Sequence, residues 1–206
     1  MIISHQHKFI FFAIPKTGTH SVRFALRPLL GKEDEEQVNL FKQSRLQIAA
    51  FNNRTDGHFS VQDIQPLLSE EIWNSYFKFC FVRNPWDKFI STVFYRNRNL
   101  DRNTSQVSFM NEVLDKHHPS PSLFYSSQAS FVQDANGCNA MDFIGKTETM
   151  QADFNLICDR LSLPAPELDH RNSSPHAGYQ SYYNQQLKER VAQVYENDIN
   201  LFNYEF

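Results

Sequence analysis

The sequence predicts an α/β fold, a mostly parallel central sheet flanked by helices, and three observations carry that prediction. Two strand–turn–helix units recur, at residues 8–30 and 76–94. Their strands read as nearly continuous apolar runs, the pattern of parallel strands buried on both faces. A third strand-to-helix passage begins at Asp142. In such folds the ligand sits at the carboxyl ends of the strands.

Taken in order, Lys8-Phe9-Ile10-Phe11-Phe12-Ala13-Ile14 is the first strand, and Pro15 ends it. Val22, Ala25, Leu26, Leu29 and Leu30 then recur at helical spacing, with Gly31 placed to stop the helix. Lys32 to Glu36 reads as a solvated helix face, and Val38 to Ala50 has a weak helical period. Ser60 is positioned to cap a short helix from Val61, with Asp63 in the capping-box position. Phe77-Lys78-Phe79-Cys80-Phe81-Val82 is the second strand, and Trp86, Phe89, Ile90, Val93 and Phe94 form a helical stripe after the turn Arg83-Asn84-Pro85. Ser105–Lys116 and Ser122–Val132 also read as helices, separated by the breaker at 117–121. Asp142-Phe143-Ile144-Gly145 leads as a strand into a helix with Met150, Phe154, Ile157 and Leu161 on one side, and Leu187 to Phe202 closes the chain with helical spacing.

Composition narrows the function. The 206 residues suit one medium domain, 1–206. With 41% hydrophobic and 21% charged residues, 19 Phe, 6 Gly and 9 Pro, the chain is neither disordered nor fibrous. Twenty basic against 23 acidic residues give a net charge of −3, so no global field draws it to nucleic acid. Cys80, Cys138 and Cys158 form no close pair, which argues against a zinc site or a disulfide framework. The longest apolar run, Phe9 to Pro15, is far short of the roughly 20 residues that span a bilayer. The expectation is a cytoplasmic protein with no membrane span.

Pro15-Lys16-Thr17-Gly18-Thr19-His20-Ser21 is the most informative segment. A loop from a strand end to a helix start aims unpaired N–H groups at one point, where the helix dipole also favours an anion. Lys16, two threonines, Ser21 and a flexible Gly18 complete a phosphate-type cradle. It is not a Walker A loop, since Lys16 precedes Gly18 and no earlier glycine exists.

The run Phe12 to Ser21 resembles the 5′-phosphosulfate loop of sulfotransferases that use 3′-phosphoadenosine 5′-phosphosulfate (PAPS). Phe81-Val82-Arg83-Asn84-Pro85-Trp86-Asp87-Lys88-Phe89-Ile90-Ser91 is similar to that family's 3′-phosphate signature. The likeness is nearest to the carbohydrate, 2-O-sulfating branch, and extends to residues 142–148 and 198–204, with Lys146 where members often carry Arg. The resemblance implies a P-loop-like sulfotransferase domain, PAPS as co-substrate without a metal, and a hydroxyl acceptor, expected to be a carbohydrate. It implies that residues Pro15 to Ser21 bind the donor and that Arg83 and Ser91 hold its 3′-phosphate.

The chemistry suits these residue types. Sulfuryl transfer needs a base for the acceptor proton, and cations with N–H donors for charge on the departing phosphate. Lys16 is the candidate for the bridging and leaving oxygens, and Arg83 can grip a terminal phosphate bidentately. Of eight histidines, His58 in Thr55-Asp56-Gly57-His58-Phe59-Ser60 resembles the segment that carries the catalytic histidine of the 2-O-sulfating branch. A base of near-neutral pKa is expected there. His20 in the loop and His170, beside a segment that by resemblance closes over the donor, are the next candidates. His5 and His7 read as solvated, and His117 and His118 as loop. Arg96, Arg98 and Arg102 offer a cationic surface for an anionic acceptor. The rival readings are a nucleotide kinase or other phosphoryl transferase, and a non-catalytic nucleotide- or glycan-binding module.

Overall fold

The computed structural model describes residues 1–37, 56–101, 106–169 and 178–206. The weak helix at 38–50, Arg102 and the loop containing His170 and His176 lie outside the described residues. The chain divides into two units, Met1–Val82 with Ser130–Arg171, and Arg83–Ala129 with Asn172–Phe206.

The first unit holds the sheet. Its elements are β1 (Ile2–Ser4), β2 (Phe9–Phe12), α1 (Thr19–Leu26), β3 (Glu35–Glu36), α2 (Val61–Ile64), α3 (Glu70–Ser75) and β4 (Phe77–Val82). The chain later returns to this sheet as β5 (Phe143–Lys146). The strand order is β3-β1-β2-β4-β5. β2, β4 and β5 pair in parallel, and β1 alone runs against its neighbours. The chain is thus α/β, with a five-stranded, mostly parallel sheet and helices on its faces.

Phenylalanine alternation drives one face. Phe9, Phe11, Phe79 and Phe81 are fully buried and pack with Val22 and Leu26 of α1 and with Phe154 and Ile157 of the helix after β5. Phe11 stacks on Phe79 with centroids 5.2 Å apart. Each such ring contributes roughly 1.5–3 kcal/mol through burial. Ile10, Phe12 and Cys80 point to the other face, where Trp73 of α3 meets Phe12 edge to face.

In the second unit α4 (Pro85–Arg96), α5 (Val107–His117), α8 (Gln185–Val194) and α9 (Glu196–Phe202) surround a core of Trp86, Phe89, Ile90, Val93, Met110, Leu187 and Val191. α6 (Ala129–Val132) precedes β5, and α7 (Met150–Leu161) follows it. Among the described residues no helix is long and apolar enough to cross a membrane.

Three local expectations are corrected. Glu35 and Glu36 form an edge strand rather than a helix face: Arg27 holds both Glu36 carboxylate oxygens at 2.8 Å, and the buried Asp34 accepts from Ser4 Oγ and from the N–H groups of His5, Gln6 and Gly31. Of 122–132 only Ala129–Val132 is helical, because side chains capture the backbone of the preceding turn: Lys88 Nζ donates to the carbonyls of Phe124 and Ser126. His5 and His7, read as solvated, are half-buried between β1 and β2 and both are partnered, His5 by Tyr76 Oη and His7 by the Leu29 carbonyl.

Candidate functional site: a strand-to-helix loop and a half-buried histidine

The loop between β2 and α1 is held in an uncommon backbone conformation. Lys16 has φ 68° and Gly18 φ 72°. A non-glycine residue in this region costs about 1–2 kcal/mol, and such strain concentrates where a backbone faces a ligand. At Gly18 a Cβ would also lie 2.3 Å from Met150 Cε, the movable end of a flexible side chain, so the positive φ is the main reason glycine suits this position. Gly18 is the N-cap of α1 and supplies no side-chain cap, leaving the start of the helix to offer its N–H groups to an anion.

Two hydroxyls expected to line the cradle also brace it. The fully buried Thr17 donates through Oγ1 to the Ile14 carbonyl at 3.0 Å, and Ser21 Oγ donates to the Asp169 carbonyl at 2.7 Å. Pro15 and Thr19 are buried, whereas Lys16 and His20 are half-buried. Burial, then the charges of Arg23 and Lys16, lowers the His20 pKa, so an imidazolium is disfavoured at the loop and His20 offers a neutral ring.

His58 reaches the root of this loop from a different part of the sequence. Its Nδ1 lies 2.7 Å from the Ala13 carbonyl oxygen, one residue beyond β2. A carbonyl only accepts, so Nδ1 carries the proton and the neutral ring's basic nitrogen is Nε2. Burial is the main cause that pushes the His58 pKa down to about 4. The expected near-neutral base is therefore a neutral imidazole of low basicity in the ligand-free protein. The Ser60–Asp63 capping box is present and starts α2 two residues later.

The backbone next to His58 is clamped by a residue that sequence reading missed. Arg23, on the inner side of α1 and almost fully buried, donates through Nη2 to the carbonyls of Gln37 at 3.1 Å and Gly57 at 3.2 Å. Burial lowers its pKa to about 10, which leaves it charged. A Cβ on Gly57 would stand 1.8 Å from the Gln37 carbonyl oxygen. An arginine within an amphipathic helix reads as surface, and only the interrupted apolar stripe between Val22 and Leu26 hinted otherwise.

Arg83 begins the second unit. Its Nε donates to Asp87 Oδ2 at 2.8 Å across one turn, which restrains the guanidinium beside the start of α4. Asn84 caps α4 through the Trp86 N–H, and Ser91 lies half-buried two turns into that helix. Among the described residues no group of three or more His, Cys, Asp or Glu converges as a metal site would.

Comparison with known proteins places the chain in a family. Carbohydrate sulfotransferase 14 of Mus musculus is 23% identical over 236 aligned residues, and that of Homo sapiens 22%. Each alignment takes in 99% of this chain but 60% of the relative, so the chain spans well under two thirds of the length of either protein. The model of the family described as "Sulfotransferase family" matches residues 1–205, which include the strained loop, His58 and the Arg83 turn, and on that whole-chain match the chain belongs to the sulfotransferase family.

Proposed function

We propose that this chain transfers the sulfuryl group of PAPS to a hydroxyl of a carbohydrate acceptor. The observation that carries the reading is the His58–Ala13 hydrogen bond, which fixes an imidazole at the root of an uncapped, positive-φ anion loop. Membership of the sulfotransferase family supports the reaction class, and the names of the two relatives support a carbohydrate acceptor.

In this reading the loop Pro15 to Ser21 binds the 5′-phosphosulfate, with Lys16 opposite the bridging oxygen and the N–H groups of Thr19 and His20 facing the leaving phosphate. Arg83 and Ser91 bind the 3′-phosphate. The acceptor oxygen attacks sulfur in line, its O–H proton passes to His58 Nε2, and the sulfur–oxygen bond to the phosphate breaks. The leaving product is 3′-phosphoadenosine 5′-phosphate (PAP). A base of pKa about 4 suffices late in the transfer, because the acceptor O–H becomes strongly acidic as its oxygen bonds to sulfur. A polyanionic donor also raises the basicity of a nearby imidazole.

Thermal shift separates this reading from a phosphoryl transferase. PAP should raise the melting temperature in a concentration-dependent way, while ATP with magnesium should not. The opposite preference would reject the reading, and turnover of labelled PAPS distinguishes an enzyme from a binding module.

A further inference from the structure

Gln128 is fully buried and commits both ends of its side-chain amide to one residue. Its Oε1 accepts from the Arg83 N–H at 2.8 Å, and its Nε2 donates to the Arg83 carbonyl at 2.8 Å. Arg83 lies one residue past β4, where the chain leaves the strand for α4. Backbone groups at such a turn need partners, and the amide supplies the pair that a neighbouring strand would.

Gln128 is in turn fixed by Asp198 of α9, also fully buried. Asp198 Oδ2 accepts from the Gln128 N–H at 2.9 Å and lies 3.4 Å from Nε2, while Oδ1 accepts from the Ala129 N–H at 2.8 Å and from Ser127 Oγ. The nearby carboxylate and the Arg83 carbonyl both demand a donor, so they set which way the amide faces. From α4, buried Lys88 holds the carbonyls of Phe124 and Ser126, so residues 124–129 are strapped to two helices. The Arg83 side chain is restrained separately, at Nε, by Asp87.

We infer that Gln128, braced by Asp198, is a positioning residue for donor recognition: it locks the main chain of Arg83 so that the guanidinium meets the 3′-phosphate already aimed. This rests on the assignment of Arg83 as the 3′-phosphate ligand. Preorganisation of this kind improves affinity for the bisphosphate and leaves a nucleotide without a 3′-phosphate unaffected.

The test titrates PAP and 5′-AMP calorimetrically into wild type, Gln128→Met, Gln128→Asn, Arg83→Ala and the Gln128→Met/Arg83→Ala double variant. Methionine keeps the length and loses both hydrogen bonds; asparagine keeps an amide but is one methylene too short to span Arg83. If either variant melts too low to titrate, the other carries the comparison. The preference for PAP over 5′-AMP should fall at least tenfold in both Gln128 variants, with 5′-AMP affinity within twofold of wild type. In the Arg83→Ala background Gln128→Met should cause no further loss. Equal losses for both nucleotides, or a loss that adds in full to that of Arg83→Ala, would overturn the inference. An unchanged preference in Arg83→Ala would instead refute the 3′-phosphate assignment, and the inference with it. A sensitive Arg83→Ala beside silent Gln128 variants would refute the positioning role alone.

Discussion

His58 Nδ1 and the Ala13 carbonyl oxygen are 2.7 Å apart, so the imidazole is tied to the strand end from which the anion loop departs. The bond fixes the tautomer, and with it the nitrogen that takes a proton. His58→Ala should lower turnover about 10²–10⁴-fold while PAP affinity stays within a few-fold, since a base acts on the acceptor rather than the nucleotide. Turnover and melting temperature measured together check this; full activity in a normally folded variant would move the base elsewhere.

Acid should expose the same residue in a stability measurement. In the unfolded chain His58 takes up a proton below about 6.5, whereas burial holds that off until about 4 in the folded protein. Between those values the unfolded state binds more protons, so stability falls as pH drops through the window and is retained above it. Relative to His58→Gln, wild type should lose on the order of 3 kcal/mol by pH 4. Denaturant unfolding at pH 7.5 and 4.5 measures the difference, and parallel curves for the two proteins would contradict it.

At Lys16 the backbone and the charge can be separated. Its positive φ costs about 1–2 kcal/mol that glycine does not incur, and the freer unfolded chain of a glycine variant takes back about 0.5–1 kcal/mol. Lys16→Gly should therefore melt within about 1 kcal/mol of wild type while losing sulfuryl transfer. A clear loss of stability would show that Lys16 holds the fold rather than the donor.

Gly57→Ala should behave in the opposite way. Its Cβ would collide with the Gln37 carbonyl at 1.8 Å and with Arg23 Nη2 at 2.7 Å. The backbone must shift, costing about 2 kcal/mol or more and displacing His58. Turnover should fall further than the unfolded fraction explains, which activity assays well below the melting temperature would reveal.

The two central strands were legible because they are dense runs of phenylalanine: Phe77–Val82 stands as read, Phe9–Phe12 is the middle of the run read as Lys8 to Ile14, and Phe143–Lys146 lies within a residue of its expected place. β1 was not, since Ile2–Ser4 has no period of its own and gains its partners only across the sheet. The anion loop was legible from residue types, but the bracing role of Thr17 and Ser21 was not, because a hydroxyl's partner is set by tertiary contact. Gly57-His58 was legible only through resemblance. Its depressed pKa depends on burial that no local pattern encodes. Arg23 and Gln128 escaped for a related reason: a buried polar side chain looks like a surface one until its carbonyl partners are seen.

The most direct measurement is transfer of radiolabelled sulfuryl from PAPS to a panel of carbohydrate hydroxyls, run with wild type and Lys16→Ala side by side. Wild type should place acid-stable label on at least one glycan and release PAP in equal amount, and Lys16→Ala should give neither product. Label transfer that survives in Lys16→Ala, or no transfer to any hydroxyl by a wild-type protein that binds PAP, would contradict it.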